Sequence, residues 1–509
     1  MGLETLITFI VYLIGMLVIG IVMYRMTNDL SDYVLGGRSL GPGVAALSAG
    51  ASDMSGWLLL GLPGAVYASG MGSAWIAVGL AIGAYLNWQF VAKRLRIYTE
   101  VSNDSITVPD FLENRFKDKS HVLRVISALV ILLFFTFYTS SGMVAGAKLF
   151  EASFGLSYNS ALWIGTIVVV SYTLLGGFLA VTWTDFIQGI LMFLALILVP
   201  IVALNEMGGW DAAVNAVGQI SPDHLTMVQG VGIMAIISSL AWGLGYFGQP
   251  HILVRFMALR SHKDVPKARF IGTTWMILGL YGAIFTGFVG LAFIQTQDVG
   301  VLSEFGISVI TENGFQMLED PEKIFIAFSQ ILFNPIIAGI LLAAILSAIM
   351  STIDSQLLVS SSAVAEDVYR ALFRREASDK ELVWIGRFAT LGIALIAALI
   401  AMNPDSSVLE LVSYAWAGFG AAFGPTVILA LFWKGFTRNG ALAGIIVGAV
   451  TVVIWGEFLT ADMANIFGLY EIVPGFILNL IVAVLVSKLG KPSPEIEADF
   501  DKAEATLNE

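Results

Sequence analysis

The chain has 509 residues, 57% of them hydrophobic and 13% charged, with a formal net charge of −12 and no cysteine. Soluble domains carry about a quarter charged residues, so a chain this long and this apolar must turn much of its surface to lipid. The missing cysteines exclude disulfides, thiolate metal sites and cysteine nucleophiles; the four histidines, His121, His224, His251 and His262, fall in no metal-ligand spacing, and there is no GxxxxGK[ST] phosphate loop to hydrolyse ATP.

The first element begins almost at the N-terminus. Residues 5–24 carry no charge, which is long enough to cross a hydrocarbon core of about 30 Å. No basic stretch precedes them and no small-residue cleavage site follows, so they do not read as a signal peptide. Further apolar segments follow at 41–62, 69–91, 124–150, 159–177, 184–206, 229–255, 269–296, 325–358, 384–402, 408–433, 438–458 and 470–488, thirteen in all. Those at 41–62 and 229–255 are the least helix-like, being rich in Gly, Ser and Pro. The stretch 297–323 is acidic and lacks a long apolar run. The tail from Pro492 is short and acidic and reads as a solvated, disordered end.

The basic residues fix an orientation. With the N-terminus outside, all but Lys148 and Lys323 of the 26 Lys and Arg fall on the cytoplasmic side, from Arg25 and Arg38 through Arg370 and Arg387 to Lys502. A miscounted span would scramble this separation, so the positive-inside rule supports thirteen spans with the C-terminus in the cytoplasm. No loop is long enough to be a separate enzyme.

Ionisable residues inside a span cost roughly 2.5–3.5 kcal/mol on insertion scales and point to function. Asp53, Asp185 and Asp354 qualify, and no span carries a Lys or Arg near its centre to pair with them. Asp53 lies in SAGASDMSGW, residues 48–57. An unwound segment there frees carbonyls for an ion and exposes the N-terminus of an outer half-helix near Ser55 and Gly56, suited to a carboxylate. Asp53 either serves that site or only caps the break. The run WGLGYFGQPH, residues 242–251, is a second break, with Pro250 suited to the first turn of an inner half-helix. Trp242 and Tyr246 either form an apolar wall with polar edges or pack in the core. The broken spans are the second and the seventh, five apart and crossing in opposite directions, the spacing an inverted repeat of five plus five helices requires.

In the ninth span, AIMSTIDS over residues 348–355 places Ala348, Ser351, Thr352 and Ser355 on one helix face. Such hydroxyls often bond back to their own helix. The neighbouring Asp354 shifts the reading toward an ion site, because hard oxygens suit a small hard cation.

Taken together, these residues resemble the sodium/solute symporter family, and within it the proline branch. The likeness runs through LGGRSLGP at 35–42, ASDMSGW at 51–57, GGFLAVTWTDFIQ at 176–188, WGLGYFGQPH at 242–251, MST at 350–352 and AWAGFGAAFGP at 415–425. It implies an all-α membrane protein of about 13 transmembrane helices, with a five-plus-five inverted-repeat, LeuT-like core whose second and seventh helices are broken. The divisions are an N-terminal extra helix and loop (1–40), a first repeat (41–206), a second repeat (207–433), two C-terminal helices (434–490) and the acidic tail (491–509).

The resemblance implies sodium-coupled import of L-proline by alternating access, with sodium as coupling ion and no organic cofactor. Sodium would take carbonyls of Ala51, Met54 and Ala348 and hydroxyls of Ser351 and Thr352. The solute would lie near Ser55, Gly56, Trp57, Tyr138, Trp242 and Tyr246, with Pro250 shaping the inner half-helix. Asp53 and Asp185 match positions linked to coupling. Asp185 and Asp354, with Ser351 and Ser355, are read either as a second cation site or as an acid pair sharing a proton.

The expected partners are proline or a similar small solute, sodium and membrane lipids, with no nucleic acid and no obligate protein partner. The expected location is the plasma membrane, the inner membrane of a bacterium. Competing readings are the same machine carrying another amino acid, a sugar or a vitamin, a sensor that keeps the transporter fold, a channel, and an intramembrane enzyme. The enzyme reading lacks a nucleophile–base pair, and the channel reading lacks a continuous pore.

Overall fold

A computed structural model of the chain describes residues 3–24, 30–174, 177–459 and 468–507. Arg25 and Gly176, used above for orientation and for the glycine pair of the 176–188 run, lie outside the described residues. The labelled helices are α1 (Leu3–Tyr24), α2 (Pro42–Asp53), α3 (Leu62–Ser69), α4 (Ala74–Leu86), α5 (Ala92–Val101), α6 (Val122–Phe154), α7 (Tyr158–Thr173), α8 (Phe178–Glu206), α9 (Ile233–Ala241), α10 (Pro250–Met257), α11 (Val265–Ile294), α12 (Pro335–Ser362), α13 (Asp379–Ile400), α14 (Val408–Phe432), α15 (Arg438–Ile454), α16 (Ile472–Lys488) and α17 (Pro494–Leu507). A hairpin, Val309–Glu312 paired antiparallel with Phe315–Leu318, decorates the 297–323 connection.

Nine helices among the described residues are long and apolar enough to cross a membrane. Shorter apolar helices at Tyr158–Ser171, Ile233–Gly248 and Ile472–Lys488 accompany them. Their outer faces stay apolar: Ile7, Ile10, Ile14 and Val18 on α1, and Leu391, Leu395 and Leu399 on α13, are exposed at helical spacing. In water that pattern would be costly; against lipid tails it is the expected surface.

The centre of the molecule is built where helices stop. Helix α2 ends at Asp53, Met54 leaves helical geometry at φ −79°, ψ 72°, and a helical run resumes at Trp57 and continues through α3. Helix α9 tightens at Trp242–Gly248 into a 3-10 stretch; Gln249 is extended, and Pro250 opens α10 at its first turn, where its missing N–H leaves no bond unmade. Around these two interruptions pack α6, α8, α12 and α14. Close approach depends on glycine. A Cβ on Gly83 would lie 2.1 Å from the Gly243 carbonyl oxygen, and one on Gly79 would lie 2.4 Å from that of Leu240, so α4 meets the second interruption backbone to backbone, the small-residue packing common in membranes.

The tail is corrected by the structure. It is not a disordered end: Pro494–Leu507 is a helix with Ile496, Phe500 and Ala503 buried. Phe500 packs on Tyr98, with ring centroids 6.0 Å apart, and lies 5.6 Å from the Arg115 guanidinium. Its acids pair with three separate elements, Asp499 with Lys117 at 2.5 Å, Asp501 with Lys434 at 2.7 Å, and Glu504 with Arg94 of α5. Acidic composition promised solvation; an apolar stripe facing a basic surface supplied a dock. Phe500→Ala removes the anchor at a cost of about 3 kcal/mol, enough for an approximately 100-fold rise in opening of this element. The expected result is a matching acceleration of tryptic cleavage at the exposed Lys502, with the rest of the chain resistant.

Candidate functional site

The first break carries the site's polar core. Ser351 Oγ and Thr352 Oγ1, on consecutive residues of α12, donate to the Ala51 carbonyl at 2.8 and 3.4 Å. Ser351 also lies 3.3 Å from the Ala348 carbonyl oxygen. Four of the five residues expected to hold sodium therefore converge across the α2–α12 contact. The fifth, Met54, is buried in the break three residues on from Ala51. The donor set is carbonyl and hydroxyl oxygen, the chemistry a small hard cation takes. Among the described residues no cluster of three or more His, Asp or Glu offers a metal site of another kind.

Asp53, last residue of α2, is buried and joins this core to the aromatic residues expected around the solute. Its carboxylate Oδ2 accepts from Tyr246 Oη at 2.5 Å, and its carbonyl accepts from Tyr138 Oη at 3.1 Å and Trp57 Nε1 at 3.0 Å. Oδ1 is buried and has no hydrogen-bond partner among the described residues. The Trp57 and Trp242 rings lie 6.3 Å apart between centroids, tilted by 42°. Ser55 Oγ accepts from the Trp57 amide at 3.3 Å. Gly56 fits because a side chain there would meet Ala145 Cβ at 2.7 Å. Of the seven expected solute residues, Ser55, Gly56 and Trp57 lie at the first break, Trp242, Tyr246 and Pro250 at the second, and Tyr138 on α6 reaches across. A small cavity of about 20 Å³ borders Asp53 and Tyr246, with Asn87 and Met276 in its wall.

Sequence reasoning missed several members. Trp416 of α14 donates from Nε1 to the Trp242 carbonyl at 2.7 Å, stacks on Trp242 at 6.4 Å and meets Tyr246 edge-on at 5.0 Å. Tyr470 also stacks on Trp242, at 5.4 Å. Asn87 donates to the Tyr246 carbonyl at 2.9 Å. Trp416 had a signal, a tryptophan flanked by Ala415, Ala417 and Gly418, small enough to let its helix close on the break. Asn87 and Tyr470 had none.

The expectation that no base reaches the buried acids is corrected. Arg255 on α10 is fully buried and pairs with Asp185 of α8 at 3.2 Å, both side chains 0% exposed. Arg255 closes the seventh apolar segment, where the charge pattern assigns it to a cytoplasmic loop. In the fold its side chain leans back along the helix, as helical side chains do, and finds a carboxylate that offsets its desolvation. The same Asp185 oxygen accepts from Ser48 Oγ at 2.7 Å, and Ser355 Oγ lies 2.6 Å from Arg255 Nη2. Asp354 is buried beside them, and among the described residues neither of its carboxylate oxygens has a hydrogen-bond partner.

A second polar cluster closes the end of the molecule nearer the 297–323 connection. Glu322 accepts from Lys148 at 2.7 Å, from the Ser407 hydroxyl at 3.0 Å and from the Val408 and Leu409 amides at 3.0 and 3.1 Å. It thereby caps the N-terminus of α14 and pins that connection over the helix carrying Trp416. An open cleft of about 590 Å³ lies alongside.

Comparison with known proteins identifies the family. Residues 33–448 match the sodium:solute symporter family. The chain is 54% identical over 501 residues to a sodium/proline symporter of Escherichia coli strain K12, covering 98% of this chain and 96% of that one. It is 53% identical over 495 residues to the high-affinity proline transporter PutP of Bacillus subtilis strain 168, covering 97% and 100%, and 53% identical over 491 residues to that organism's osmoregulated proline transporter OpuE, covering 96% of each. In fold it resembles a substrate-bound, outward-open sodium-coupled sialic acid symporter, with a TM-score of 0.78 at 20% identity over 96% of this chain and 99% of that one. It also resembles a nucleobase-cation-symport-1 family transporter in a closed conformation, with a TM-score of 0.53 at 16% identity over 93% and 98%. A helical membrane protein with a LeuT-like core, whose two interruptions bring hydroxyls, carbonyls and buried carboxylates together, this chain belongs to the sodium:solute symporter family.

Proposed function

We propose that the chain imports L-proline with sodium by alternating access, and that the solute and the ion meet at the first break. The observation that carries this reading is Asp53. Its carbonyl and carboxylate receive Trp57, Tyr138 and Tyr246 on one side. On the other, two residues earlier on the same helix, the Ala51 carbonyl receives Ser351 and Thr352.

Sodium takes the oxygens of Ala51, Met54, Ala348, Ser351 and Thr352. Bound there, it draws Ser351 and Thr352 toward α2 and fixes the break. The proline carboxylate meets the N-terminus of the run that starts at Trp57, beside Ser55 and Gly56, where the helix dipole favours negative charge. Its compact ring lies against Trp57, Trp242 and Tyr246, apolar faces with polar edges, with Tyr138 closing the wall and Pro250 setting the direction of α10. Asp53 places a negative charge between ion and solute. Asp185, Asp354 and Ser355 form an acidic cage that contributes to coupling. The two interruptions fall at corresponding places in two repeats, residues 41–206 and 207–433, that rock about the site with the N-terminus outside.

One ion suffices energetically. A tenfold sodium gradient supplies about 1.4 kcal/mol and 100 mV adds about 2.3 kcal/mol, together enough for roughly 500-fold accumulation. A second reading, the same cycle with another small solute, shares every polar feature and differs only in what fills the aromatic wall.

The test is uptake of labelled proline into proteoliposomes holding only this protein. Accumulation that appears with an inward sodium gradient and collapses without it is the expected result. Folded protein that takes up no proline under either condition returns the substrate to a competition screen of other small solutes.

A further inference from the structure

We propose that Arg255 is a tethered cation: its guanidinium fills an oxygen cage that would otherwise take a second sodium ion, and so holds the protein to one sodium per cycle. This rests on the sodium-coupled reading above. The cage is built from three helices. Ser48 Oγ of α2 lies 3.1 Å from Arg255 Nε, and Asp185 Oδ2 of α8 and Ser355 Oγ of α12 lie 3.2 and 2.6 Å from Nη2. The fourth contact, Nη1 to the His251 carbonyl at 3.0 Å, stays within α10 and holds the side chain in place. The Phe178 ring covers the group at 5.3 Å.

The position of the cage is not arbitrary. Ser355 lies one helical turn beyond Ser351 on α12, and Ser48 lies three residues before Ala51 on α2. The cage therefore repeats the sodium site one turn along the same two helices, about 5 Å away, and shares their separation. Hydroxyl and carboxylate oxygens at that spacing are ligands for a hard cation.

Charge makes the occupant necessary. Asp185 and Asp354 interact electrostatically with each other and with Arg255, yet among the described residues three of their four oxygens, Asp185 Oδ1 and both of Asp354, are buried with no hydrogen-bond partner. Removing the guanidinium from such a place leaves carboxylates uncompensated in a dry medium, a state that recruits a cation when one is at hand. The resident cation is arginine, whose charge cannot be titrated away, and being covalent it cannot leave with the solute.

The experiment counts ions. Radiolabelled sodium bound per protein, and the sodium dependence of proline uptake, are measured on the full chain as wild type, Arg255→Lys, Arg255→Gln, Asp354→Asn and Arg255→Gln/Asp354→Asn. One bound sodium is expected in the wild type and in Arg255→Lys. Two are expected in Arg255→Gln, with the Hill coefficient of uptake rising toward two, and the double variant should return to one. Arg255→Gln protein that binds a single sodium with unchanged cooperativity overturns the proposal. So does a wild type that binds two ions and loses one in Asp354→Asn, a comparison that decides the matter even where the glutamine variant does not fold. A wild type that binds no sodium and transports proline without it overturns the sodium-coupled reading itself, a separate result.

Discussion

Replacing Ser351 and Thr352 together by alanine is expected to abolish sodium-driven proline accumulation and to lower apparent sodium affinity by at least ~100-fold. The two hydroxyls are the side-chain oxygens that α12 presents to the Ala51 carbonyl. Each contact to a charged group contributes about 1.5–3 kcal/mol, so losing both weakens the ion by roughly 3–6 kcal/mol, or two to four decades. The volume removed is small and the helix backbone of α12 is untouched, so the protein should still fold and elute as wild type from gel filtration. Thr352→Ser, which keeps the oxygen, should stay within about threefold of wild type. A double variant whose sodium titration overlays the wild type would place the ion elsewhere in the molecule.

Asp53→Asn has the second large effect. The substitution keeps shape and leaves an oxygen to accept from Tyr246, so it isolates the charge. Tyr246 reaches that carboxylate at 2.5 Å while Oδ1 has no hydrogen-bond partner among the described residues, so its charge is left to act on a neighbouring ion. Neutralising one member of a buried charge pair removes about 2–5 kcal/mol. Sodium-stimulated proline binding should therefore fall by roughly 30-fold or more, while binding measured without sodium changes little. Tyr246→Phe, which strips only the donor, should cost about tenfold. If Asp53→Asn binds proline with wild-type sodium stimulation, Asp53 is a helix cap and nothing more.

Sequence carried the breaks and the polar face of α12 because both are local. Gly, Ser and Pro at the centre of a span leave little helix to form, and Ser351, Thr352 and Ser355 follow from 3.6 residues per turn. It did not carry pairings between distant helices. Arg255 and Asp185 are seventy positions apart, and an arginine ending an apolar run reads as a loop residue until the half-helix is seen to turn inward. The tail failed differently. Its Ile496, Phe500 and Ala503 were an amphipathic stripe in plain view, outweighed by an acidic composition whose partners, Arg94, Lys117 and Lys434, come from three other regions of the chain. Trp416 belonged to a run that the family resemblance picked out, but only packing brings its ring against Trp242.

The glycine contact between α4 and the second interruption has a mechanical consequence. Where Gly79 and Gly83 meet Leu240 and Gly243, main chain touches main chain with no side chain to bend. A joint of that kind transmits displacement without slack. The backbone that carries Trp242 and Tyr246 does not tilt alone: whatever force moves it drags α4 along as a stiff lever, and the compliance needed for motion has to lie elsewhere, at Gln249 and at Met54, where the helices are already open.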